Sequence, residues 1–207
     1  MKHFVTGTGT DVGKTYVTKL LLEAANKAGI PTVGYKPICC GDREDAELLL
    51  SAGAPGVELD EINPITYATP AAPYTAGIFE NKTFARETAI EGFENLNNRF
   101  EGLFVEGAGG WEVPITRDYR VADLAVEFKL PVIVVVNNRL GALNETILTV
   151  ESIQRRGLSC SGIVLNHLED ERDMASVTNR SAIEDILEIP VILDILHGEE
   201  EIDLPHE

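Results

Sequence analysis

The sequence predicts an α/β fold in one domain, with a mostly parallel sheet carrying helices on both faces. Three observations predict it. Short apolar, strand-like runs alternate with segments whose apolar residues recur at helical spacing. Pro131 to Val136 is apolar throughout, as suits a strand covered on both sides in a parallel sheet. A glycine-rich stretch joins the first strand-like run to the first helical one, and this β–α rhythm then repeats.

His3 to Thr6 is the first strand. Val17, Leu20, Leu21, Ala24, Ala25 and Ala28 then share a helical face until Gly29 stops the pattern. Pro31 to Tyr35 reads as the second strand, and Glu44 to Ala52 as a short helix ended by Gly53. Residues 54–80 carry Pro55, Pro64, Pro70 and Pro73 without periodicity and read as loop. A helix through Arg86 to Asn97 presents Ala89, Ile90, Phe93 and Leu96 on one face. Leu103 to Val105 is a short strand and Pro131 to Val136 a stronger one. A helix from Asn144, as N-cap, to Gly157 follows, then the strand Gly162 to Leu165. A further helix starts near Ser181 and leads to the strand Val191 to Leu193. Beyond it, residues 196–207, with Glu199 to Glu201, read as a loose acidic tail. No internal repeat or composition break divides the chain, so residues 1–207 are expected to form one domain.

Apolar residues make up 44% of the 207 and charged residues 25%, an ordinary globular balance. The formal net charge of −17 argues against nucleic acid or an anionic membrane as partner, since both need a cationic face. No run approaches the ~18 apolar residues that a spanning helix needs. The chain enters its first strand at once, which leaves no room for a signal peptide, and a cytoplasmic location is expected. Three cysteines, Cys39, Cys40 and Cys160, without C-x-x-C spacing indicate free thiols rather than disulfides or zinc.

The segment GTGTDVGKT, Gly7 to Thr15, lies between strand and helix, where a phosphate-binding loop belongs. It departs from G-x-x-x-x-G-K-[ST] at one position, where Thr8 stands for the first glycine between Gly7 and Gly9. The physics survives the change. Glycines let successive N–H groups, here those from Gly9, Thr10, Asp11, Val12 and Gly13 to Tyr16, curl toward phosphate oxygens. The helix that follows adds its positive end. Lys14 is placed to bridge the β- and γ-phosphates, and Thr15 to offer its hydroxyl to Mg²⁺. The fold expected is therefore that of a P-loop NTPase, with ATP as co-substrate.

Magnesium takes one or two carboxylates beside substrate phosphates. Asp45 and Glu106 fall where loops leave the C-terminal edge of the sheet, and Glu106 opens the turn EGAGG. Read singly, EGAGG is equally a tight turn and Asp45 a helix-start carboxylate. No G-x-S-x-G elbow is present, and His3, His167, His197 and His206 lie outside the glycine-rich motifs. The chemistry expected is phosphoryl transfer through positioning and charge neutralisation, not a protein nucleophile.

GTGTDVGKT, YKPICCGDREDAE (Tyr35 to Glu47), VEGAGG (Val105 to Gly110), LGALNETILT (Leu140 to Thr149) and GIVLN (Gly162 to Asn166) together resemble the dethiobiotin synthetase family in order and spacing. The resemblance runs from about residue 2 to 195. It implies an ATP- and Mg²⁺-dependent ligase of biotin biosynthesis that closes a ureido ring on 7,8-diaminononanoate with CO₂. The route passes through a carbamate and its mixed anhydride with phosphate. Position by position, it implies Lys14 at phosphate and Thr15, Asp45 and Glu106 at magnesium. Lys36 falls at the carbamate and the transferred phosphoryl group, Thr10 beside the carbamate, and Asp11 near the substrate amines. Asn166 falls at the adenine edge. Cys40, Gly109, Leu143 and Asn144 fall at the diamine substrate, Leu143 and Asn144 at its carboxylate. It also implies a homodimer with the substrate site at the interface.

Three positions depart from the family pattern: Asp11 where Glu is frequent, Cys40 where Ser or Thr is typical, and Glu145 where His is common. A thiol is a weaker hydrogen-bonding group than a hydroxyl. Two other readings share this loop style. An amidating, cobyrinate-type synthetase usually carries a glutaminase domain, for which 207 residues leave no space. Partitioning or septum-placement ATPase switches typically have a second lysine near the loop start, where this chain has Thr6-Gly7-Thr8.

Overall fold

The computed structural model describes residues 1–204. Among them, six strands form one parallel sheet in the order β2-β5-β1-β6-β7-β8. These are β1 (Lys2–Gly7), β2 (Thr32–Tyr35), β5 (Gly102–Gly110), β6 (Val132–Asn137), β7 (Cys160–Asn166) and β8 (Val191–Ile195). Phe4, Val5, Leu103, Val105, Val134, Val135 and Val164 are fully or almost fully buried, so the central strands are covered on both sides. The predicted α/β architecture is what the chain adopts.

Helix α1 (Lys14–Lys27) carries the chain from β1 to β2, and α5 (Arg86–Arg99) brings it back to β5. From there α6 (Val121–Phe128), α7 (Ala142–Arg155) and α8 (Met174–Leu187) advance it across the sheet. The chain thus runs one way from β1 to β2 and the other way afterwards. With right-handed crossovers, that reversal puts α1 and α5 on opposite faces. It also opens a crevice at the C-terminal end of β1, the usual ligand position in such sheets.

Several boundaries differ from those expected. Residues 54–80, expected as loop, hold α3 (Leu59–Ile62), β4 (Ile65–Tyr67) and α4 (Pro73–Glu80). With β3 (Ile38–Cys40), β4 makes a two-stranded parallel sheet. Three-residue strands have too short a pattern to be read, and Pro73 begins a helix rather than breaking one. Helix α2 (Glu44–Ala52) is as expected. The missed α6 is about two turns long, so its period repeats too few times to be read. Helix α7 is capped by Gly141 at φ 97°, so Asn144 sits inside the first turn and is not the N-cap. Helix α8 starts well before Ser181, because Asp173 accepts from the backbone N–H of Ser176 at 2.6 Å.

The C-terminal segment also differs from a loose tail as far as it is described. The Tyr16 hydroxyl donates to the Glu199 carbonyl, Lys27 pairs with Glu201 at 3.0 Å, and Ile202 packs against the core. The last part of the expected tail, 205–207, lies outside the described residues.

Candidate active site

Because β2, β5 and β1 are neighbours, residues far apart in sequence meet at their C-terminal ends. Tyr35 is level with Val105, and Val5 with Glu106. Lys36, one step past β2, therefore arrives beside Glu106 of β5, and Thr15 arrives from the first turn of α1. The Thr15 hydroxyl donates to Glu106 Oε1 at 2.7 Å. Lys36 Nζ donates to the same oxygen and to Asp45 Oδ2, the latter at 2.7 Å. Asp45 sits in the first turn of α2.

Burial makes this cluster electrostatically tense. Glu106 is 0% exposed and Lys36 4%. Burial works against the Lys36 ammonium, but Glu106 and Asp45 outweigh it and push its pKa above the ordinary lysine value. Burial also works against charge on Asp45, yet the Lys36 charge and hydrogen bond hold it below the usual carboxylate value. For Lys14 burial wins, and its pKa is lowered despite the attraction of Glu106.

The phosphate loop is braced from several sides. Lys14 Nζ reaches back across it to the Gly9 carbonyl at 3.1 Å. The Thr8 N–H donates to the Val135 carbonyl of β6 at 3.0 Å. Asn166, at the end of β7, donates its amide N–H to the Val12 carbonyl at 3.0 Å. Gly13 lies at φ 85°, and a Cβ there would stand 2.1 Å from the Asn166 amide nitrogen. No side chain caps α1, so its first N–H groups remain available to an anion. Asp11 adopts the left-handed conformation, φ 57°.

Beside the loop opens a cleft of about 640 Å³ lined by Thr10, Asp11, Lys36, Cys40, Asp45 and Gly109, among others. Pro70 to Pro73 form another part of its wall, and the sequence reading missed them. The alternation Ile65-Thr66-Tyr67 just upstream was the available signal, a β-branched and aromatic run set between prolines. Asp42 and Glu44 also line the cleft and were not singled out. Burial pushes the Cys40 thiol up to about 11.

Other expected site residues stand apart. Leu143 and Asn144 lie in the first turn of α7, outside the lining of this cleft. Glu145, a departure from the family pattern, is paired with Arg139 at 2.8 Å. Tyr16 turns its hydroxyl to the C-terminal segment. Among the described residues no group of three or more His, Cys, Asp or Glu side chains could hold a metal ion. Magnesium needs no such group when phosphate oxygens complete its shell. Thr15, Asp45 and Glu106 fit that pattern, and Glu106 keeps Oε2 buried without a protein partner.

A family model described as an AAA domain matches residues 2–197. The ATP-dependent dethiobiotin synthetase BioD of Akkermansia muciniphila is 44% identical over 205 residues, covering 99% of this chain and 96% of that protein. The chain belongs to the dethiobiotin synthetase family. The Serratia marcescens synthetase is 39% identical over 80% of the chain and 76% of its own length. That of Escherichia coli O157:H7 is 37% identical over 80% and 77%.

Solved structures share the fold. The septum site-determining protein MinD of Pyrococcus horikoshii, complexed with Mg-ADP, superposes with a TM-score of 0.58 at 15% identity, over 93% of this chain and 81% of that one. Chloroplast FtsY of Physcomitrella patens gives 0.59 at 16% identity, and this chain, matched over its whole length, spans only 61% of that one. At such identities the likeness is one of fold. The hydrogen bonds of Lys36 join Asp45 and Glu106 to it, Thr15 bonds Glu106, and Lys36 and Asp45 also line the cleft. No helix among the described residues is long and apolar enough to cross a membrane.

Proposed function

We propose that the chain is an ATP-dependent dethiobiotin synthetase, a ligase joining CO₂ to 7,8-diaminononanoate in biotin biosynthesis. One amine adds to CO₂ and loses a proton, giving a carbamate. A carbamate oxygen takes the γ-phosphoryl group of ATP, and ADP leaves. The second amine attacks the carbamoyl carbon, the bond to the phosphate oxygen breaks, and the ureido ring closes with loss of phosphate and a proton. The substrate supplies both nucleophiles, so the protein needs none.

The observation that carries this reading is the junction of Lys36, Asp45, Glu106 and Thr15 at the head of a cleft that opens beside the phosphate loop. The backbone from Gly9 to Tyr16, with Lys14, binds the phosphates of ATP. Thr15, Asp45 and Glu106 would hold Mg²⁺, whose charge offsets that of the phosphates. Lys36 stabilises charge on the carbamate and the transferred group, and Thr10, Asp11, Cys40 and Gly109 flank the diamine. With its amide N–H engaged by Val12, Asn166 has its carbonyl oxygen left to accept from the adenine amino group. Leu143 and Asn144 would meet the substrate carboxylate across the two-fold interface of a homodimer, and the enzyme would act in the cytoplasm.

Phosphate release from Mg·ATP, with and without diaminononanoate and bicarbonate, tests the proposal. Release that requires the diamine and matches dethiobiotin one for one by mass spectrometry is the expected result. Slow release indifferent to the diamine would move the assignment to an ATPase switch.

A further inference from the structure

Lys36 is in an unexpected position for a group that meets the carbamate. Its Nζ sits between Asp45 Oδ2, at 2.7 Å, and Glu106 Oε1, the two carboxylates that fit magnesium. The third metal-fitting group, the Thr15 hydroxyl, also bonds Glu106 Oε1, at 2.7 Å. Lys14 does not share the position, since its Nζ turns to the Gly9 carbonyl. A divalent ion held by both carboxylates would compete with the Lys36 ammonium for Asp45 Oδ2 and Glu106 Oε1.

We infer that Lys36 is a stand-in cation: its ammonium and a divalent ion exclude one another from the Asp45–Glu106 pair, and metal arrival turns Lys36 out into the cleft. The inference rests on the magnesium reading of Thr15, Asp45 and Glu106. The physical reason for such an arrangement is the burial of Glu106, which is 0% exposed. A fully buried carboxylate is costly without a cation beside it. Exchange keeps it compensated throughout by one cation or the other. The released side chain has somewhere to go, since Lys36 itself lines the cleft with Thr10, Cys40 and Gly109. Metal loading and delivery of the lysine to the reacting groups then become one event, and Lys36 acts as a positioning residue before it acts on substrate.

The test is Mn²⁺ binding to the nucleotide-free full chain, followed by electron paramagnetic resonance, for wild type, Lys36→Met and Glu106→Gln. Lys36→Met is expected to bind Mn²⁺ about tenfold tighter than wild type, because the competing charge is gone, and Glu106→Gln is expected to lose binding. Equal or weaker binding by Lys36→Met, with Glu106→Gln still deficient, overturns the exchange and leaves the magnesium reading standing. Wild-type binding by Glu106→Gln removes that reading and the exchange with it. Should Lys36→Met fail to fold, acetic anhydride labelling of wild type replaces it. Faster acetylation of Lys36 as Mg²⁺ is raised supports exchange, and an unchanged or slower rate overturns it.

Discussion

The Asn166 side-chain amide donates to the backbone carbonyl of Val12 at 3.0 Å, fastening the end of β7 to the phosphate loop. In Asn166→Asp, a carboxylate would face that carbonyl and leave it unpaired. A loss of about 1–3 kcal/mol in stability is expected, together with a several-fold rise in the KM for ATP. Thermal melts and ATP titrations check both, and an unchanged KM would show that the brace does not set the loop. Gly13→Ala should be worse, since φ 85° and a 2.1 Å approach to the Asn166 nitrogen oppose any Cβ.

Lys14→Ala should abolish phosphate release, because no other described ammonium is seen to span the loop in its place. Asp45→Asn and Glu106→Gln should each lower metal-dependent turnover by roughly a hundredfold or more. Rates are measured against Mg²⁺ concentration. A wild-type rate in any one variant removes that residue from its role.

The Cys40 thiol, held up to about 11 by burial, is almost entirely protonated near neutral pH. Iodoacetamide labelling, read by peptide mass spectrometry, should be slow at neutral pH and rise about tenfold per pH unit into the alkaline range. A plateau below pH ~9 would contradict the burial argument. Cys40→Ser supplies the stronger hydroxyl donor and should lower the KM for the diamine.

Glu112 binds Ser152, Arg120 and Arg156, tying the turn after β5 to α6 and α7. Burial works against its charge, but these hydrogen bonds prevail and hold its pKa at about 2, below the ordinary 4.5. A carboxylate with a depressed folded pKa stabilises the protein above its unfolded value, and the contribution fades as pH falls toward the folded one. Melting temperature should therefore drop between about pH 4.5 and 2. Glu112→Gln should lower it near neutrality and flatten that drop. The side chain is 39% exposed, so the effect is small.

Legibility followed the length of the signal. The run Pro131 to Val136 foretold β6, and the face of Ala89, Phe93 and Leu96 foretold α5, because each repeats its pattern long enough to be read. The turn at Gly13-Lys14-Thr15 was legible because its chemistry is local. Asp173 as the cap of α8 and Gly141 as the cap of α7 were not foreseen, since either residue type serves loops as well as helix ends.

By itself the sequence determined that strands and helices alternate, that a phosphate loop follows the first strand, and that Asp45 and Glu106 lie at the sheet's C-terminal edge. Only the tertiary structure decided that Lys36 and Glu106 touch, that Asn166 holds Val12, and that Pro70 to Pro73 form part of the cleft wall. Those contacts depend on strand order. Placing β5 between β2 and β1 brings together residues separated by 70 and 91 positions, and no local pattern encodes which strands will be neighbours.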